Sequence, residues 1–121
     1  MRLTVEYFDQ NESFASYLPR VGQTTSSFTS DAGTPGWFLL ELEEPFDYQL
    51  QIGEPFRFRE IDVTHFLIRS RRAGDEIGGS TPTPVFILLV EQGAAPLKGP
   101  IHVEDYVHIA WGTCTCEVGG V

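Results

Sequence analysis

Apolar and polar residues alternate along most of this chain, and in one place the alternation stops. From Val85 to Val90 the sequence is Val-Phe-Ile-Leu-Leu-Val, six apolar residues without a polar break, entered through Pro82 and Pro84. A bilayer-spanning helix needs about 20 apolar residues, and a short, β-branched, proline-bounded run reads instead as a strand. Such a run predicts a central strand buried on both faces. Fully burying each such side chain is worth roughly 1.5–3 kcal/mol, so the rest of the chain is expected to be arranged around this segment.

The remaining pattern has mostly a period of two. Leu3, Val5 and Tyr7 alternate with Thr4, Glu6 and Phe8, predicting a first strand over 3–8. Asn11 can cap a short helix from Glu12 to Leu18, with Phe14, Tyr17 and Leu18 on one side and Pro19 ending it. Residues 22–36 are rich in Ser, Thr and Gly, which predicts a long surface loop. Strands are expected over Trp37–Glu43, Tyr48–Ile52, Phe56–Arg59 and Val63–Arg71, with breaks at Glu44-Pro45 and Gly53-Glu54-Pro55. A second long connection is expected over 72–84. After the Gly- and Pro-containing stretch 92–100, a last strand is expected over Ile101–Trp111, with a bulge or bend where Asp105 interrupts its apolar face. Six or seven short strands with at most one short helix predict an all-β domain, a mostly antiparallel small barrel or sandwich formed by residues 1–121 as one unit. Parallel pairing would need crossover helices that this pattern lacks.

Composition supports a folded core and narrows the partners. Apolar residues make up 41% of the chain and charged residues 21%, away from the signature of disorder, and nine phenylalanines favour a sheet core. The net charge is −9 and the pI about 4.6. Such a chain is not expected to bind nucleic acid, because that affinity comes from cations that neutralise phosphates; a basic partner fits better. Charge on its own speaks first to solubility. Neither a secretory h-region nor a long apolar run is visible, so the expectation is a cytoplasmic protein with no membrane contact and reduced cysteines.

Three groups of residues could carry chemistry. Cys114 and Cys116 lie two apart, which on a strand points both thiols to one side with Cα atoms too far apart for an easy disulfide. With His102 and His108 they could complete a tetrahedral metal site if the chain folded back after Gly112, although the spacing matches no standard zinc module and no metal is expected. His102, Glu104, Tyr106 and His108 share one face of the predicted last strand, a place for acid or base work, with a wetted sheet face as the plainer reading. Arg57, Arg59, Arg69, Arg71 and Arg72 are five of the eight basic residues. If their two strands were neighbours they could converge on a carboxylate or phosphate; pairing with Glu41, Glu43, Glu44 and Glu60 is the plainer reading. His65 reads as a satisfied core or edge histidine. Phosphate-binding glycine loops, a nucleophile elbow, a His-Glu-x-x-His pair and a calcium loop are all missing, so no cofactor is expected.

The function these features point to is a small acidic non-catalytic module that engages another protein or a second copy of itself, with Phe28, Trp37 and Tyr106 as aromatic anchors. The competing expectation is a barrel that binds a small molecule or anion, or a minor enzyme, through the arginines or the His102, Glu104, His108 face.

Overall fold

The computed structural model describes residues 1–7, 17–53, 57–71, 77, 82–98 and 100–116, with the backbone alone for Tyr7, Gln51 and 108–111. Six strands, β1 (Arg2–Tyr7), β2 (Arg20–Phe28), β3 (Trp37–Gly53), β4 (Arg57–Ser70), β5 (Thr83–Glu91) and β6 (Val107–Cys116), close into a barrel in chain order. Every pairing is antiparallel, including β6 onto β1, where Val5 faces Cys114 and Leu3 faces Cys116. Closure leaves the barrel wall without the unpaired edges that invite aggregation. Among the described residues the only helical element is a 3-10 turn at Val103–Asp105, and no helix is long and apolar enough to cross a membrane. The helix expected over 12–18 falls mainly outside the described residues, as does most of the connection expected over 72–84.

β5 is buried on both faces, as its apolar run predicts. Val85, Ile87 and Leu89 point into the barrel with Leu3, Val5, Leu40, Phe66 and Ile68. Leu88 and Val90 point outward into a second apolar cluster with Phe28, Trp37, Leu39, Leu67 and Ile101. That outer cluster is roofed by the β5–β6 connection, here called the strap, through Ala95, Ile101, Val103 and Tyr106. Ile101 forms a parallel bridge to Ser30, and the backbone N–H groups of Asp31 and Ile101 donate across this junction to Ile101 O and Thr29 O at 2.8 and 3.0 Å.

Three departures from the sequence expectations have physical causes. Residues 22–28, expected as the start of a loop, belong to β2, because pairing with β1 at its start and with β3 along the rest holds the strand without an apolar face of its own. Its Gly22 is a packing requirement: a Cβ there would sit 2.5 Å from Glu41 O and 2.8 Å from Leu40 Cγ. The two strands expected over 37–43 and 48–52 are one 17-residue strand. The register runs from Glu41 opposite His65 to Phe46 opposite Val63, so Leu42–Pro45 lie against Thr64 alone; the strand bends at Pro45 without ending, since a proline fits at a bulge. Likewise the two expected over 56–59 and 63–71 are one 14-residue β4, with Ile61 buried in the core.

The last strand is displaced as well. Ile101 and His102 belong to the strap, the 3-10 turn at Val103–Asp105 forms the bend expected at Asp105, and β6 continues through both cysteines. The six strands therefore arise from two mergers and one addition.

Candidate functional site

The predicted aromatic anchors lie inside the outer cluster. Phe28 and Trp37 are buried at the β2–β3 corner, and Tyr106 is partly buried against the same cluster from the strap, where burial raises its phenol pKa. These rings hold the strap to the barrel wall; two of the three are not presented at the surface.

His102, Glu104 and His108 are not brought onto one strand face. His102 precedes the 3-10 turn, Glu104 is an exposed residue within it, and His108 sits on β6 opposite Leu88, with its side chain outside the described set. His102 Nδ1 lies 2.9 Å from Asp31 Oδ2, joining the strap to the β2–β3 turn. That bond, with the carboxylate charges of Asp31, Asp105 and Glu104, raises the imidazole pKa. His65 is half-buried with Nδ1 2.8 Å from Thr64 Oγ1, and burial lowers its pKa against the opposing pull of Glu41.

Cys114 and Cys116 are not joined in a disulfide and lie on the inner side of β6, Cys114 within the core and Cys116 packed against it. Burial, aided by the neighbouring Cys116, pushes the Cys114 thiol up to about 12, which makes it an inert core residue at neutral pH. Among the described residues no three of His, Cys, Asp and Glu converge as a metal-binding group.

The four described arginines of this group do not converge. Arg57 and Arg59 start β4, while Arg69 and Arg71 lie at and just beyond its other end, ten or more positions away. At about 3.3 Å per residue that separation exceeds 30 Å. Arg59 bonds Glu91 at 2.6 Å, Arg69 Nε donates to Pro35 O at 3.1 Å, and Arg71 stacks on Phe86. Arg72 lies outside the described residues.

What the fold does bring together is an arm. Beyond the bulge, Phe46–Gly53 of β3 pair with Arg57–Val63 of β4, and among the described residues β2 does not follow β3 past Leu42. Eight residues at about 3.3 Å each make a ribbon of roughly 25 Å. Its inner face continues the core: Phe46, Ile61 and Val63 are buried, Tyr48 and Leu50 half-buried, and the Tyr17 ring packs on Phe46 and Tyr48 at 5.0 and 5.3 Å. Burial raises the Tyr48 phenol pKa. Arg20 braces the bend: its guanidinium stacks 4.5 Å above the Phe46 ring and donates to Tyr17 O and Glu44 O. Arg2 also braces it, with a two-pronged bond to Glu43 at 2.7 and 3.1 Å that lowers the Glu43 pKa.

Toward the tip the arm exposes apolar surface. Ile52 is 56% exposed and Phe58 55%, and Ile52 is the unpaired residue where the register shifts between Gln51 opposite Phe58 and Gly53 opposite Arg57. The outer face is polar, with Asp47 opposite Asp62 and Gln49 opposite and bonded to Glu60. A cleft of ≈ 170 Å³ at the base of the arm, lined by Pro19, Arg20, Val21, Glu43 and Glu44, is smaller than the roughly 300–1,000 Å³ typical of small-molecule sites. The barrel interior is occupied by its own thirteen-residue apolar cluster. That is expected of six strands, since even eight enclose a space that side chains can fill.

The arm was visible in outline as two alternating segments around Gly53-Glu54-Pro55, a hairpin signal. Its exposure was not. A scan against known protein families, a search of curated proteins and a search of solved structures each returned no match.

Proposed function

We propose that this protein is a non-catalytic interaction module in which the barrel is the scaffold and the β3–β4 arm is the surface that engages another protein. The observation that carries this reading is the exposure of both Ile52 and Phe58 near the end of a ribbon that continues beyond the ladders of the barrel wall. Two large apolar side chains exposed close to one end of the arm are costly to leave in water and suit burial against a partner, whereas exposed apolar residues scattered singly need no explanation. Leu97 on the strap, 93% exposed, is an example of the second kind.

The filled interior and the dispersed arginines give no support to the competing idea of a small-molecule or anion-binding barrel. The test is copurification from the protein's own cells at low salt. The native chain is expected to carry a partner at a fixed stoichiometry, Ile52→Ser with Phe58→Ser is expected to lose it, and Gln23→Ser on the barrel wall to keep it. A chain that stays strictly monomeric and partner-free, or a partner retained by the arm variant, contradicts the proposal.

A further inference from the structure

We infer that the outer face of the arm receives a basic, extended segment of its partner, an inference that rests on the arm being the interaction surface. Cross-strand pairs on this face succeed one another along the ribbon as Asp47 with Asp62 and Gln49 with Glu60, with Phe58 two residues beyond Glu60 on its strand. Directly opposed side chains have Cβ atoms about 4.5–5.5 Å apart, and like charges so placed destabilise a sheet. Asp47 and Asp62 are such a pair.

Several other acids have a partner within the chain: Glu43 bonds Arg2, Glu91 bonds Arg59 and Asp31 bonds His102. Among the described residues neither Asp47 nor Asp62 has an ion-pair partner, and nothing in the ladder requires carboxylates there, since both side chains are exposed on the side away from the core. A cation placed between them from outside would remove the repulsion and leave an attraction in its place.

The spacing fits an extended segment. Successive pairs on one face of a ribbon are two residues apart, about 6.6 Å, which is the repeat of side chains on one face of a strand. A strand laid along the arm can set a lysine or arginine between Asp47 and Asp62, a polar or basic residue over Gln49 and Glu60, and an apolar residue against Phe58. Charge also selects among occupants. The chain carries −9, so a second copy of the same net charge would approach against repulsion, as would a nucleic acid. A basic protein segment gains in both encounter rate and fit.

The experiment is a titration of the full 15N-labelled chain, followed by backbone amide shifts, with two synthetic eight-residue peptides, one alternating lysine and valine and the other glutamate and valine. The lysine peptide is expected to move amides of 47–52 and 57–62, less so in high salt. In the variant Asp47→Asn with Asp62→Asn its affinity is expected to fall by roughly threefold to tenfold, the effect of losing two solvent-facing ion pairs. That variant removes a repulsion, so it is expected to fold at least as well as the native chain, and the amide spectrum of the free variant checks that the loss does not come from misfolding.

Equal binding of the glutamate peptide, unchanged affinity in the double variant, or shifts spread over the barrel wall each overturn the inference. Glutamate-peptide shifts confined to the arm do so while leaving the arm as the interaction surface. Silence from both peptides at millimolar concentration also overturns it, and the copurification test then decides the arm's role separately.

Discussion

β3 and β4 each pass through two different environments, and the contrast between their halves separates what holds this protein together from what it presents. In the barrel wall, Phe38–Glu41 and His65–Ile68 have ladder partners on both sides, and Leu40, Phe66 and Ile68 are fully buried. In the arm the same strands are paired chiefly with each other, one face still leans on the core, and the other carries carboxylates. The barrel half is over-determined by packing. The arm half keeps an exposed apolar tip and an opposed acid pair, two features that cost stability, and such costs are borne where a surface has another use.

The largest predicted effect lies in the barrel half. Phe66→Ala empties the centre of the interior cluster, where the Phe66 ring sits 6.0 Å from Phe46, and is expected to destabilise by about 3–5 kcal/mol in denaturant unfolding. A loss below about 1 kcal/mol would mean the barrel interior is not the main core. Next comes Gly22→Ala. The added methyl meets a backbone oxygen that cannot swing aside, so a loss of roughly 1–3 kcal/mol is expected by the same assay. An unchanged midpoint would show that β2 and β3 approach less closely than described. In the arm, Asp62→Asn is expected to raise stability by a few tenths of a kcal/mol by relieving Asp47; a clear loss would show that the pair is structural.

The smallest effect concerns the strap. His102 has a folded pKa raised by Asp31, so the contribution of their contact is complete below the ordinary imidazole value of 6.5 and is lost as pH rises through the raised folded value. An NMR titration of the His102 ring is expected to give a midpoint above 6.5, returning toward it in Asp31→Asn. Identical midpoints in the two proteins would remove this contact from the account.

Sequence pattern revealed the buried elements better than the exposed ones. The run Val85–Val90 announced a strand buried on both sides because only such a strand tolerates six consecutive apolar residues, and that is where β5 lies. β2 was hidden because its Ser and Thr residues are held by the ladder to β3 and its first residues by the ladder to β1, a non-local cause that no window of sequence displays. The continuity of β3 and β4 was masked by Pro45 and by the acids at 60 and 62, local breakers that a bulge and an exposed ribbon face accommodate. The anchors were misplaced for a related reason. Trp37 and Phe28 read as surface aromatics beside a loop until the strap, itself taken for strand and turn, is folded over them. The alternation of Tyr48, Leu50 and Ile52 was legible, but the gradient from buried to exposed along it depends on where the barrel ends.

The claim that the arm is energetically separable from the barrel is tested most directly by native-state hydrogen exchange on the partner-free chain. The account predicts that amides of Leu40, Phe66 and Ile68 exchange only through global unfolding, while those of Gln49, Leu50 and Glu60 exchange through a smaller opening with weaker denaturant dependence. Equal protection in the two halves, with one shared dependence on denaturant, would contradict it.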